Sequence, residues 1–124
     1  MTYNLKTGGF MSDCIFCRIA ENKVPAKIVY EDEHAIAFED VNPQAPVHVL
    51  VIPKRHIPTI LDAGDGDVAL MGHLLGVCKK IAMDNGIAER GFRIVSNCNP
   101  DGGQVVYHFH LHVLGGRKMR GPLG

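Results

Sequence analysis

Three histidines alternate with apolar residues near the end of the chain: His108, His110 and His112. In a β-strand, successive side chains point to opposite faces, so the three imidazoles would share one surface at a spacing of about 6.6–6.8 Å. Imidazole changes protonation near neutral pH and can attack phosphorus, carry a proton or ligate a metal. One outward histidine is ordinary on a half-exposed strand. Three in strict alternation predict chemistry on a phosphoryl group or a metal site.

The segment directly before these histidines has the composition of a phosphate-binding loop. Gly102 and Gly103 carry no Cβ, so backbone N–H groups there can approach a phosphate closely, and Gln104 can donate to a phosphate oxygen. A Gly-Gly pair alone is weak evidence. Its position a few residues before the histidines favours a phosphate-binding site at this end of the chain.

Size and composition describe one globular domain. The chain has 124 residues, of which 46% are hydrophobic and 21% charged, a near-average composition. Thirteen basic and thirteen acidic residues cancel, so no large positive field would hold duplex nucleic acid or a membrane surface. No uncharged stretch reaches the roughly 20 apolar residues of a membrane helix. Because the first ten residues also lack a secretory signal, a cytoplasmic protein is expected.

Hydrophobic periodicity predicts the elements that must position these residues. A short helix over 14–22, capped by Ser12 or Asp13, precedes a hairpin of strands over 27–31 and 35–39. A central strand over 47–52, a long helix over 68–84 capped by Asp65 or Asp67, and strands over 92–97 and 105–114 follow. The predicted fold is α+β, with an antiparallel five-stranded sheet, one long helix and one short helix. Residues 1–11 are expected to be a disordered extension or a cloning scar before a single domain over 12–124.

Several motifs in one order resemble the histidine triad superfamily, and within it the nucleoside-phosphoramidate hydrolase (HINT) branch. The resemblance covers about residues 12–116. It rests on four segments: His108-Phe109-His110-Leu111-His112-Val113-Leu114, Gly102-Gly103-Gln104, Asp40-Val41-Asn42-Pro43-Gln44-Ala45-Pro46-Val47-His48 and Ile52-Pro53-Lys54-Arg55-His56-Ile57.

The resemblance implies a histidine-triad fold, a homodimer and a reaction at the α-phosphorus of a purine nucleotide. By this likeness His110 is the nucleophile, which forms a nucleotidyl-imidazole intermediate that water hydrolyses. His112 would hydrogen-bond the phosphate, and His48 would orient His110 or relay its proton. The implied activity is hydrolysis of purine nucleoside 5′-phosphoramidates or acyl-adenylates to a nucleoside monophosphate, with no metal needed for the reaction.

The same likeness assigns residues to the nucleotide. The phosphate oxygens would be held by Asn97, Gly103, Gln104 and the backbone of Val105, and the ribose hydroxyls by Asp40. The base would lie in a slot formed by Phe16, Ile19, Phe38 and Val41. For these apolar residues plain core packing stays open, and for Asp40 a turn role does. The family often has a polar residue such as serine at the position of Val105, so slower turnover or other leaving groups are expected.

Cys14 and Cys17 have the spacing of a metal-binding pair, which supplies half of a tetrahedral zinc site. His56 and His108 are the natural candidates for the other two ligands, and some zinc-bearing relatives use the corresponding positions. The predicted zinc is structural. Two alternatives stay open: the cysteines are small buried apolar residues, or they form a redox pair, which the absence of a βαβ unit disfavours.

Three other functions remain as alternatives. The first keeps the fold but makes the substrate a dinucleoside polyphosphate or a nucleotide sugar, as in a nucleotidyltransferase. The second is a regulatory protein that binds a purine nucleotide without turnover. The third, a purely structural zinc module, is disfavoured because it leaves His48, His110, His112 and Asp40 without a role.

Overall fold

The computed structural model describes residues 13–121, so the expectations for residues 1–11 and for Ser12 lie outside the described residues. The regular elements are, in chain order, α1 (Ile15–Ala20), β1 (Ile28–Glu31), β2 (Ala35–Glu39), β3 (Val47–Pro53), α2 (Val68–Asp84), β4 (Phe92–Val95) and β5 (Leu111–Gly115). Short 3₁₀ turns cover Ile60–Asp62, Asp65–Asp67 and Pro100–Gly102. Within the described part of the chain, no helix is both long enough and apolar enough to cross a membrane.

The five strands form one antiparallel sheet in the order β1-β2-β3-β5-β4. The predicted α+β class, the five-stranded antiparallel sheet and the pair of one long and one short helix are confirmed. β3 lies at the centre, and every residue after Val47 in it is buried. Its β-branched apolar composition suits a strand that is covered on both faces.

The two faces of the sheet bury two separate cores. On one face, α2 packs Leu74, Val77 and Ile81 against inward side chains of β3 and β5. On the other face, α1 packs Phe16 and Ile19 against a second set that comprises Ile36, Phe38, Leu50 and Ile52. Because side chains alternate along a strand, Val49 joins the first core and Leu50 the second. The sheet thus has an α2 face and an α1 face.

The predicted strand over 105–114 is wrong at its start, since β5 begins only at Leu111. The residues before it are held by other bonds: Phe109 N–H donates to the Ile57 carbonyl (2.6 Å), and the His108 ring donates to the Pro53 carbonyl (2.7 Å). The alternation of faces nevertheless continues, since Phe109 and Leu111 enter the α2 core while His108 and His110 contact Phe16.

The predicted helix ends also need correction. α1 is capped by Cys14, whose Sγ accepts from Cys17 N–H at 3.4 Å, and not by Asp13. It ends at Ala20 and not at residue 22, since Asn22 adopts a positive φ of 60°. Asp67 does occupy the N-cap position of α2, but its carboxylate binds Gly64 N–H and the Arg55 guanidinium.

β4 is shorter than predicted and ends at Val95, with Asn97 beyond it. The last residue of the strand, Val95, is paired with His112 of β5. Asn97 therefore belongs to the loop that leads to β5. Its side-chain amide donates to the Gly102 carbonyl at 2.7 Å, which closes this loop on itself.

Candidate active site and metal centre

The hydrogen bonds of His48 assign its ring a tautomer. Gln44 N–H donates to His48 Nδ1 at 3.0 Å, so Nδ1 carries no proton and Nε2 carries it. His48 Nε2 then donates to His112 Nδ1 at 2.9 Å, which leaves the His112 proton on its Nε2. Asp40 Oδ2 lies 3.5 Å from the same His48 Nε2. β2, β3 and β5 thus bring a carboxylate and two imidazoles into one directed chain.

His110 has the tautomer that a nucleophile requires. Its Nδ1 lies 2.8 Å from the His108 carbonyl, an acceptor only, so Nδ1 carries the proton and Nε2 keeps a free lone pair. The ring is 8% exposed, and burial lowers its pKa, which favours the neutral form. Its centroid lies 5.0 Å from that of His112. A neutral imidazole with a free nitrogen is able to attack an electrophile at neutral pH.

The two histidines beside it are also held neutral. Burial lowers the pKa of His48, against the opposing effect of the Asp40 carboxylate. Burial, followed by repulsion from His110 and His48, lowers the pKa of His112 to about 4. At neutral pH His48 and His112 are therefore neutral, each with its proton on Nε2, and His110 is neutral with its proton on Nδ1.

A cavity of about 390 Å³ opens on this histidine chain. Eight residues that the sequence singled out line it together: Phe16, Asp40, His48, Asn97, Gly103, Val105, His110 and His112. Gly103 has a φ of 82°, which glycine adopts without strain, and it turns the loop after the 3₁₀ turn. Val105 stands at the rim, 86% exposed. Its apolar side chain offers no hydrogen-bonding group there.

Four other predicted nucleotide-contacting residues do not line this cavity. The Gln104 side chain turns into the protein, where Nε2 donates to the Pro58 carbonyl (2.8 Å) and Oε1 accepts from Asn99 N–H (2.9 Å). Val41 is 99% exposed in the turn after β2. Phe38 and Ile19 are buried in the core of the α1 face. For these two apolar residues the alternative of plain core packing describes their positions.

Sequence reasoning did not assign a role to four further lining residues: Asn42, Gln44, Leu50 and Val106. Asn42 and Gln44 belong to a polar, proline-bounded turn between Asp40 and His48, and that position is the signal that could have found them. Gln44 matters through its backbone N–H, which no side-chain pattern reveals. Leu50 is next to His112 across the β3–β5 ladder, a relationship that only the register defines.

A second cluster lies behind the cavity, where two cysteines and two histidines meet. His108 Nδ1 is 3.3 Å from Cys14 Sγ and 3.4 Å from Cys17 Sγ, and His56 Nδ1 is 3.2 Å from Cys17 Sγ. One ligand atom from each residue lies within 4.8 Å of all the others. In a tetrahedral zinc site, sulfur and nitrogen ligands lie about 3.5 Å apart. The four residues could therefore hold a metal ion.

The chemistry of the cluster also fits a metal. His108 Nε2 donates to the Pro53 carbonyl, so Nδ1 presents its lone pair to the two sulfurs. The hydrogen bond from the Cys17 thiol, together with His108, lowers the pKa of Cys14 to about 3, although burial opposes this. The Cys14 sulfur in turn raises the pKa of Cys17. One thiolate next to an acceptor nitrogen is a ready-made ligand pair.

Asp40, His48 and His112 form another group of three that could hold an ion by distance alone. Hydrogen bonding, and not metal binding, explains why these three residues are close together, since the histidine nitrogens that face the group already take part in hydrogen bonds. His48 Nε2 donates to His112 Nδ1, and His48 Nδ1 accepts from Gln44. The hydrogen-bonded chain accounts for the geometry of this group without an ion.

Comparison with known proteins places the chain in a family. Residues 21–119 match the model of the HIT domain. An uncharacterized HIT-like protein of Synechococcus elongatus is 53% identical over 112 residues, which cover 90% of this chain and 97% of that protein.

Two solved structures have the same fold and similar sequences. A HIT family hydrolase from Legionella pneumophila aligns with a TM-score of 0.88 at 51% identity, covering 90% of this chain and all of that one. A histidine triad protein from Clostridium difficile aligns with a TM-score of 0.86 at 44% identity, covering 89% and 96%. Together with the domain match, this similarity shows that the chain belongs to the HIT domain family.

Proposed function

We propose that the protein hydrolyses purine nucleoside 5′-phosphoramidates or related acyl-adenylates, releasing a nucleoside monophosphate. The observation that carries this proposal is the His110 ring, whose Nδ1 is bound to the His108 carbonyl and whose Nε2 lone pair is free. The ring lines the same cavity as Asp40 and the loop from Asn97 to Val105. The hydrolase named among the structural relatives gives independent support for the reaction class.

The proposed reaction has two displacements at the α-phosphorus. In the first, His110 Nε2 forms a bond to phosphorus while the phosphorus–nitrogen bond breaks, and the amine leaves with a proton taken from solvent at the open rim. In the second, water attacks phosphorus, the bond to Nε2 breaks and its electron pair returns to the imidazole. The water proton passes to solvent. Two moderate barriers replace one high barrier.

The His48–His112 pair stabilises the negative charge that develops on the phosphate oxygens in the proposed reaction. Because His112 Nδ1 accepts from His48, the His112 proton is on Nε2, which can donate to a phosphate oxygen. The Asp40 carboxylate near His48 Nε2 polarises this neutral pair, so the His112 N–H donates more strongly as negative charge gathers on phosphorus.

The remaining cavity residues suit a nucleoside. We assign the ribose hydroxyls to Asp40, whose Oδ1 accepts from Asn42 N–H at 2.8 Å and whose side chain is 20% exposed. We assign the phosphate contacts to Asn97, Gly103 and the backbone of Val105, and we place the base against the Phe16 ring. Gln104 supports this loop from inside through its three hydrogen bonds.

A structural zinc ion completes the proposal. Cys14, Cys17, His56 and His108 would fill all four positions of a tetrahedral site, which leaves none for substrate. Bound zinc would supply a cross-link between α1 and the segment that carries His110. The reaction itself then needs no metal. The four free cysteines of the chain suit a reducing cytoplasm, where we place the protein.

We also propose a homodimer, supported by two unpaired surfaces of the described residues. α2 exposes Val68, Leu75 and Met83 on its outer side, with Gly72 and Gly76 between them. β4 is the last strand of the sheet, so its outer edge carries unpaired backbone groups. A second copy of the chain could cover both by a two-fold operation. Sedimentation equilibrium of the wild type against Leu75→Glu tests this, and dimer formation is expected only in the wild type.

The reaction is tested by release of AMP from adenosine 5′-phosphoramidate by the wild type and by His110→Ala. Turnover by the wild type that falls at least about 10³-fold in the variant supports the covalent mechanism. A brief chelator treatment should leave turnover at saturating substrate largely intact. A dinucleoside polyphosphate assayed in parallel separates the two substrate classes, and AMP binding without turnover would leave a regulatory protein.

A further inference from the structure

A polar chain runs from the segment after β5 to the histidines of the cavity. Arg117 Nη2 donates to the Gln44 carbonyl at 2.8 Å, and Arg117 Nη1 donates to the Lys118 carbonyl at 3.0 Å. Gln44 N–H in turn donates to His48 Nδ1 at 3.0 Å. The two backbone groups of Gln44 therefore join an exposed arginine to a buried histidine.

The turn that contains Gln44 is closed by the bond from Asp40 N–H to the His48 carbonyl at 3.0 Å, in which neither backbone group of Gln44 takes part. Pro43 and Pro46 flank it and offer no N–H. The Gln44 side-chain amide donates to the Asn42 carbonyl at 3.1 Å within the turn. The contact with Arg117 comes from outside the turn, from a residue 73 positions away.

The end of β5 is built to lie against this turn. Gly116 has a φ of 95°, and a Cβ there would come within 2.8 Å of Pro46 Cβ. Only glycine permits that approach. The close packing of Gly116 on Pro46 brings the next residue, Arg117, to the Gln44 carbonyl. Backbone packing and a charged donor thus act on the same turn.

We propose that Arg117 is a positioning residue, which fixes the tautomer of His48 by holding the backbone of Gln44 in place. This proposal rests on the proposed function of the His48–His112 pair. The Gln44 carbonyl and N–H lie on either side of its Cα, so the two bonds together restrict φ and ψ of this residue. If the bond to Arg117 is lost, the Gln44 backbone can turn, its N–H loses alignment with His48 Nδ1, and that nitrogen is free to take the proton. His48 Nε2 then faces His112 Nδ1 without a proton, so His112 loses the donor that keeps its own proton on Nε2.

The arginine suits this role better than a lysine. Its planar guanidinium donates to two carbonyls at once, those of Gln44 and Lys118, while an ammonium on a flexible stem has no fixed fork. Arg117 is exposed, so the bond contributes little to folding stability, and its effect should fall on the orientation of the turn. Loss of one such hydrogen bond corresponds to about a threefold to tenfold change in population.

The test compares Arg117→Met, Arg117→Lys and the matched control Arg120→Met, an exposed arginine three positions later. Long-range ¹⁵N–¹H correlation spectra of the imidazoles report the tautomer of His48 directly. The wild type and Arg120→Met should show a proton on Nε2 only. Arg117→Met should show exchange between the two tautomers, with Arg117→Lys in between.

Kinetics with adenosine 5′-phosphoramidate give the second measurement. Arg117→Met should lower kcat about threefold to tenfold with little change in KM, and Arg117→Lys should recover part of the loss. A wild-type tautomer in Arg117→Met overturns the proposal, as does a change in KM alone, which would make Arg117 a substrate contact. If the wild type itself shows no turnover, the proposed reaction fails, and the spectra still decide whether Arg117 positions His48.

Discussion

Phe16 and His110 meet edge to face, with ring centroids 5.2 Å apart and an interplanar angle of 86°. Phe16 lies between Cys14 and Cys17 in the sequence. Its ring also packs against the His108 ring, with the two ring centroids 6.0 Å apart. The same ring lines the cavity that opens on His110. One aromatic side chain therefore touches a proposed metal ligand, the proposed nucleophile and the nucleotide space.

Removal of the proposed zinc ion should weaken nucleotide binding more than it slows the chemical step. Without the cross-link, α1 is held by its short apolar face and by weak thiol–imidazole hydrogen bonds, so the position of Phe16 is less firmly fixed. We expect the Kd for AMP to rise about tenfold on chelation and to recover on addition of zinc, as measured by calorimetry. Cys14→Ser should behave like the chelated protein and Cys98→Ser like the wild type. An unchanged Kd in the metal-free protein would show that the metal centre does not influence nucleotide binding in the cavity.

Asp40→Asn should reduce the preference for ribonucleotides over 2′-deoxyribonucleotides. A carboxylate accepts two hydrogen bonds from a vicinal diol, whereas an amide presents one acceptor and one donor. Asn42 N–H can still donate to the amide oxygen, so the turn should keep its shape. The expected result is a loss of about tenfold in kcat/KM for the ribo substrate and a much smaller loss for the deoxy substrate. Equal losses for both substrates would show that Asp40 acts through the His48–His112 pair and not on the ribose.

His112 should make the protein lose stability as the pH falls from about 6.5 toward 4. Burial and neighbouring imidazoles hold the folded pKa of His112 at about 4, below the unfolded value of about 6.5. Between these values the unfolded chain binds the proton more strongly, so the free energy of unfolding rises with pH and the contribution is complete above about pH 6.5. Allowing for solvent screening of this half-buried ring, about 1–2 kcal/mol is expected.

Urea denaturation of the wild type and of His112→Asn at pH 7.5, 5.5 and 4.5 measures this contribution. Metal release and distant titrating groups affect both proteins, so the difference between them reports His112 together with its coupling to His48 and His110. The pH-dependent loss should be smaller in the variant. Parallel stability curves would show that His112 accepts a proton in the folded state as readily as in the unfolded chain.

Val105→Ser should speed turnover of substrates whose leaving amine is strongly basic. Val105 lies at the rim of the cavity and is 86% exposed, so the substitution should change stability by no more than about 0.5 kcal/mol. A serine hydroxyl there could pass a proton to the departing amine, which the valine cannot. We expect kcat to rise about threefold or more for alkylamine leaving groups. Val105→Ala controls for side-chain size, and a rise in both variants would point to access and not to proton transfer.

The amino-acid sequence by itself determined the layout of the fold and the faces of its strands. The alternation of His108, His110 and His112 with apolar residues was enough to predict that the three share a face. Likewise, the apolar spacing of α2 predicted its bounds, Val68–Asp84, to the residue. These patterns can be read locally, because the apolar or polar character of each side chain indicates whether it faces the core or the solvent. A period of two residues indicates a strand, and a period of 3.6 residues indicates a helix.

The tertiary structure decided which partners the polar groups find. It turned Gln104 into the protein, shortened β5 so that its first residue is Leu111, and brought Gln44 N–H to His48. It also carried Arg117 to a carbonyl 73 residues away. These outcomes depend on strand register and on the close approach of distant backbone segments. Hydrogen bonds form only where a donor and an acceptor meet within about 3 Å, and no local pattern in the sequence encodes that distance.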